Sequence, residues 1–164
     1  MEKITRAVIL RHRKENLKKC SLRGLEKRED FLFYTYPKKF PDDLKGFFIL
    51  TINAPVLTKE DRGKGLLLID GTWNLAQKML ANMPKYPGIE ERSIPEGFIT
   101  AYPRVQTGCS DPARGLASIE ALYIAFKILG YPTDHLLDNY HFGNEFLQLN
   151  EHHFNSMSPQ SQIE

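Results

Sequence analysis

Its 164 residues are 41% hydrophobic and 26% charged, which excludes a wholly disordered chain and fits one globular domain. No apolar run approaches the ~20 residues a membrane span needs, no signal-peptide core follows residues 1–6, and Cys20 and Cys109 form neither a disulfide framework nor a CxxC pair, so a cytoplasmic, reduced protein is expected. The net charge of +2 hides a dipole: residues 1–28 carry ten Lys or Arg against Glu2, Glu15 and Glu26, while no Lys or Arg follows Lys127.

Residues 5–10 read as a strand, and the alternating aromatics of 31–36 as a second, ended by Pro37 and Pro41. Residues 47–52 form a third. The run 66–69 is apolar on both faces, which places it at the centre of a parallel sheet. Thr72 caps a helix over 73–83, where Leu75, Ala76, Met79, Leu80 and Met83 make one stripe before Pro84. Residues 97–101 are expected as a fifth strand. A second helix spans 115–129, with Leu116, Ile119, Leu122, Tyr123, Phe126 and Leu129 at helical spacing and Gly130 as its C-terminal cap. A third helical region covers 133 to about 154, broken near Gly143, and 156–164 is a frayed tail. Strands alternating with helices predict an α/β fold with a mostly parallel sheet. Ligands of such sheets sit beyond the carboxyl ends of the strands, which points to the loops after residues 52, 70 and 101.

The basic front holds Arg11, Arg13, Lys14, Lys18, Lys19 and Arg23. It suits a polyanion, because neutralised phosphates release counterions, although a solvated lysine-rich face has the same composition. Asp70 ends the apolar strand. It is either an acid facing a ligand or a carboxylate serving a helix start. Trp73, the one tryptophan, either anchors the core or covers a cationic ligand group such as a sulfonium. The loop 100–108 brings Tyr102, Arg104 and Gln106 together, fit for phosphate or a base edge or equally for a surface turn. Glu120 reads as a helix-start partner ahead of a catalyst. His135, His141, His152 and His153 match no standard metal spacing, so no metal is expected. Cys20 lies in basic surroundings, but no base is placed to activate it. No GxGxxG, P-loop or HExxH occurs.

The segments Lys18-Lys19-Cys20-Ser21, Leu57-Thr58-Lys59-Glu60-Asp61, Arg92-Ser93-Ile94-Pro95, Leu116-Ala117-Ser118-Ile119-Glu120-Ala121 and 142–150, taken in order, resemble those of the rRNA aminocarboxypropyltransferases of ribosome biogenesis and their sister group, the DTW-domain tRNA aminocarboxypropyltransferases. Lys18-Lys19-Cys20-Ser21 is similar to the rRNA group's Lys-Lys-Cys-Ser/Thr. Leu57-Thr58-Lys59-Glu60-Asp61 before the strand to Asp70 resembles its Leu-Ser-Pro-x-Asp block. Arg92-Ser93-Ile94-Pro95, Leu116-Ala117-Ser118-Ile119-Glu120-Ala121 and Phe142-Gly143-Asn144-Glu145-Phe146-Leu147-Gln148-Leu149-Asn150 resemble its Arg-x-Leu-Pro, Leu-Ser-x-x-Glu-Ala and Trp-Gly-x-x-Phe-x-x-Leu-Asn segments. Asp70-Gly71-Thr72-Trp73 stands between the Asp-Cys-Ser-Trp of one group and the Asp-Thr-Trp of the other, and the loop from Tyr102 leans toward the DTW group.

The resemblance implies a SPOUT-like fold with a C-terminal trefoil knot. A basic N-terminal α/β lobe would cover 1–60 and a cofactor-binding part 61–155. It implies S-adenosylmethionine as donor of a 3-amino-3-carboxypropyl group to a uridine-type base, in rRNA first and tRNA second. Ser21, Leu50, Trp73, Ile94, Pro95, Leu116 and Ala121 would line the donor pocket, with Asp70 the acid nearest the chemistry. Arg62, Lys64 and Arg104 join the basic front as expected RNA contacts, and the chain is expected as a monomer. A methyltransferase on the same fold and a non-catalytic RNA-binding assembly factor are the competing readings.

Overall fold

A computed structural model describes residues 4–14, 21–71, 73–102 and 115–157, with Trp73 described by its backbone. The strands are β1 (Ala7–His12), β2 (Phe31–Tyr36), β3 (Phe47–Leu50), β4 (Gly65–Asp70) and β5 (Glu90–Arg92), and the helices α1 (Trp73–Asn82), α2 (Ser118–Leu129), α3 (Gly143–Leu149) and α4 (Glu151–Ser156). The strands form one sheet in the order β2-β1-β4-β3-β5, with every pair parallel. The apolar run of β4 does lie at the centre. It belongs to the second of the two parts expected from sequence, yet it sits between β1 and β3 of the first.

Period-two alternation divides the central strands between two layers. Val8, Leu10 and Leu67 meet Met79 of α1 on one side. Ala7, Ile9, Leu66 and Leu68 meet Ile119, Leu122 and Phe126 of α2 on the other. The α2 layer buries more, with Phe48, Phe126 and Phe146 wholly enclosed; each such side chain contributes about 1.5–3 kcal/mol of burial. Helix α2 runs against the strand direction of β4. Its first residue, Ser118, donates to Asp70 at one end of that strand, and just beyond its last turn the Tyr131 hydroxyl donates to the Lys64 carbonyl at the other. Gly130 closes α2 at φ 77°, and the Tyr131 amide reaches back to the Phe126 carbonyl at 2.9 Å. A glycine adopts that left-handed turn without the Cβ penalty.

Two expectations change. Residues 97–101 lie outside the sheet, because side chains take their backbone hydrogen bonds. The Gly97 carbonyl oxygen lies 3.0 Å from Nε2 of His153, and Ala101 N donates to Glu120 at 2.8 Å. The edge strand is instead β5, whose Glu-Glu-Arg sequence carries no apolar alternation. The helix expected from 133 begins at Gly143; before it, residues 133–140 form successive turns, with the amides of Leu136 and Tyr140 bonded to the carbonyls of Thr133 and Leu137.

Candidate functional site

Strands β1 and β4 are neighbours, but the chain leaves them in opposite directions: β1 leads outward to β2, and β4 leads past β3 to β5. The loops beyond their carboxyl ends diverge, which opens a crevice where parallel sheets hold ligands. Asp70, the last residue of β4, stands in register with Arg11 of β1. Both continue the alternation of Ile9 and Leu68, so both side chains emerge on the α2 layer.

Asp70 is 4% exposed. Its Oδ1 accepts a hydrogen bond from Ser118 Oγ at 2.8 Å and its Oδ2 one from Arg11 Nε at 3.4 Å. Arg11 is buried as well. A terminal nitrogen donates to Glu26 Oε2 at 3.0 Å, and the guanidinium lies 4.7 Å from the Phe33 ring centroid. Two carboxylates thus share one buried cation, the pairing a charge away from water requires. Burial works against ionisation of Glu26, but its own amide, Arg11 and the Gly24 amide outweigh it and hold the carboxyl below its ordinary value. Beside this group, Ser21 Oγ accepts from the Ile119 amide at 3.2 Å, one of the unpaired donors of the first turn of α2. On the opposite face, His12 accepts the Lys14 amide on Nδ1 at 3.0 Å. Burial, then Arg13 and Lys14, push its pKa down, so its ring is neutral near pH 7.

The residues assigned to the donor gather at this end of the sheet. Leu50 ends β3 and is buried in the α2 layer, against which Ile94, Leu116 and Ala121 lie half-buried. Pro95 is half-buried beside Ile94, and Trp73 opens α1 three residues after Asp70. The basic residues do not gather. Arg13 and Lys14 follow β1, exposed at the Asp70 end, and Arg23 is exposed in the segment before residue 25. Arg11 is inside, as Asp70's partner. Arg62 and Lys64 precede β4 and so stand about 20 Å from its far end, at six residues of strand rise. There Arg62 Nε donates to the Ile128 carbonyl at the end of α2, and Lys64 pairs with Asp61 and Glu90, both at 3.2 Å. Lys18, Lys19 and Arg104 lie outside the described residues.

Glu120 is wholly buried and accepts four hydrogen bonds, from Thr100 Oγ1, Ala101 N, Ala117 N and the Tyr140 hydroxyl. It is the helix-start partner of the sequence reading, extended to the segment before residue 103. Arg11 and Ser118 as holders of Asp70 are absent from that reading. The signal for Arg11 was available: it continues the every-other-residue row of Ala7 and Ile9. Among the described residues no three His, Cys, Asp or Glu side chains cluster as a metal site, and no helix is long and apolar enough to cross a membrane.

The fold is similar to the solved SAM-dependent rRNA:acp-transferase Tsr3 from Vulcanisaeta distributa, with a TM-score of 0.67 and 24% identity over 93% of this chain and 82% of that one. No curated protein matches. The DTW domain matches residues 1–148, nearly the whole chain. The chain therefore belongs to the DTW-domain family.

Proposed function

We propose that the protein transfers the 3-amino-3-carboxypropyl group of S-adenosylmethionine to a uridine-type base of RNA, with rRNA the first candidate. The observation that carries this reading is the buried Asp70 carboxylate, held by Arg11 and Ser118 at the mouth of the β1/β4 crevice. Two likenesses support it: the DTW domain over residues 1–148, and the fold shared with a SAM-dependent rRNA:acp-transferase. The SPOUT-like part over 61–155 with a C-terminal knot, implied by the motif resemblance, belongs to the same proposal. The DTW match also favours tRNA as the second candidate target.

The residues present fit the donor. Leu50, Ile94, Leu116 and Ala121 offer apolar surface, and a carboxylate beside them complements a cationic sulfonium and ammonium. Ser21 adds a hydroxyl at the start of α2. When bound, S-adenosylmethionine supplies a sulfonium whose leaving group, methylthioadenosine, opens the aminocarboxypropyl carbon to a nucleophile. Asp70 accepts or orients the proton of the base nitrogen. Arg11 and Ser118 keep its carboxylate in one orientation, and burial strengthens both contacts by excluding water. Arg13 and Lys14 lie on the same side for the RNA backbone.

Incubation with RNA and donor labelled either in the carboxyl carbon or in the methyl carbon tests the reading. Label in RNA from the carboxyl carbon alone supports it; label from the methyl carbon alone refutes it in favour of methyl transfer. Nucleoside mass spectrometry of rRNA and tRNA from cells with and without the gene identifies the target.

A further inference from the structure

A cleft of about 910 Å³ lies between the segments 38–47 and 84–89 on the α1 side of the sheet. That volume is within the ~300–1,000 Å³ typical of ligand sites. Its rim carries Lys38, Lys39, Lys45 and Lys85, all exposed. Two acids, Asp42 and Asp43, also line it, and Asp43 is turned back onto the Lys45 amide at 2.8 Å. Phe40 and Tyr86 are half-buried in the walls. The Tyr86 hydroxyl donates to the Pro41 carbonyl at 2.7 Å, which ties the two walls together.

One end of the cleft, at Lys38 and Lys39, adjoins the carboxyl ends of β1 and β2. The other, where the Gly46 carbonyl accepts from the Gly65 amide at 3.1 Å, lies at the start of β4. The cleft as a whole is on the α1 face, across the sheet from the Asp70 carboxylate. The Arg13 amide donates to the Tyr36 carbonyl at 3.0 Å and the Lys39 amide to the Thr35 carbonyl at 3.1 Å. Arg13 and Lys14 therefore abut the chain that leads into Lys38 and Lys39. The row of cations begins one strand away from Asp70, at the end of β1, and runs over the end of β2 into the cleft.

Cations on a rim with aromatic rings in the walls make the combination that binds single-stranded nucleic acid, phosphates on the charges and an unstacked base on a ring. A duplex keeps its bases paired and offers no free ring face to a half-buried aromatic. We infer that this cleft binds a single-stranded stretch of RNA flanking the modified nucleotide. The inference rests on the RNA reading above and adds the docking surface.

The test compares the wild type with a variant carrying Lys38→Glu, Lys39→Glu, Lys45→Glu and Lys85→Glu. The probes are a short labelled single-stranded RNA of mixed sequence and the same strand annealed to its complement, each titrated across a salt series. Expected are tighter binding of the single strand by the wild type, at least about a tenfold loss in the variant, and a log–log salt slope shallower by about 3, from roughly 0.7 per lost phosphate contact. Thermal midpoint and donor binding should match the wild type. Equal affinity and slope in the variant overturn the inference, as does equal wild-type affinity for strand and duplex. Label transfer by the wild type, measured alongside, separates the two claims: transfer with an indifferent variant leaves the transferase reading standing and removes the cleft. Variant-sensitive binding without transfer does the reverse.

Discussion

The Asn150 carboxamide binds both backbone groups of Ile99, accepting from its amide at 2.7 Å and donating to its carbonyl at 2.9 Å. A neighbouring strand would make the same pair of bonds. Nδ2 also reaches the Phe146 carbonyl at 2.9 Å, and the residue is wholly buried. Asn150→Ala leaves three backbone groups without this partner. The two on Ile99 are part-buried and within reach of water, while the Phe146 carbonyl is buried, where an orphan costs about 1–3 kcal/mol. A fall of about 2 kcal/mol in unfolding free energy is expected from urea titration. A fall below about 1 kcal/mol would mean that the segment 97–101 does not depend on this clamp.

Glu120 offers only acceptors to four donors. Glu120→Gln turns one oxygen into an amide nitrogen that faces donors. We expect a loss of about 2 kcal/mol, against about 1 kcal/mol for Tyr140→Phe, which removes a single donor. The ranking of the two variants by chemical denaturation is the check; the reverse order contradicts the clamp.

Arg11 joins Asp70 to Glu26. Arg11→Lys keeps the charge but not a planar fork that spans two carboxylates. A charge-assisted hydrogen bond contributes about 1.5–3 kcal/mol, so the single-turnover transfer rate should fall roughly tenfold to a hundredfold while donor affinity stays within about twofold. An unchanged rate would remove Asp70's orientation from the chemistry.

Asp61 lies at the opposite end of β4. Burial opposes its ionisation, but the Thr58 amide, Lys64 and Arg92 outweigh that and hold its carboxyl below the ordinary value. A depressed carboxylate stabilises the fold above its unfolded pKa of about 3.9, and the contribution is lost as pH falls through the lower folded value. Asp61→Asn should therefore be less stable than the wild type at pH 7, and the gap should narrow below about pH 4. Thermal unfolding of both proteins across that range measures it; a gap independent of pH contradicts the assignment.

The parts of this fold legible in sequence are those whose side chains report their own surroundings. Leu66, Leu67 and Leu68 are apolar toward both layers, so β4 shows as central, and Asp70 stands out as the polar residue that ends it. Glu90, Glu91 and Arg92 give no such signal: an edge strand can be polar on both faces, and it is placed by pairing with Phe48 to Leu50. Residues 97–101 read as a short apolar strand, yet the partners that claim their backbone, Glu120, Asn150 and His153, come from distant parts of the sequence. Charge counting put Arg11, Arg62 and Lys64 in one group. Only the strand register separates a buried partner of Asp70 from two cations at the far end of the sheet.

The position of β4 between β1 and β3 also governs when the molecule can form during synthesis. Until residue 70 has cleared the ribosome, β1 and β3 have no strand to join them, and the edges that β4 will fill, one on each, stay unsatisfied in the nascent chain. The keystone arrives after the stones it supports, so the growing polypeptide needs shielding from its neighbours over that interval.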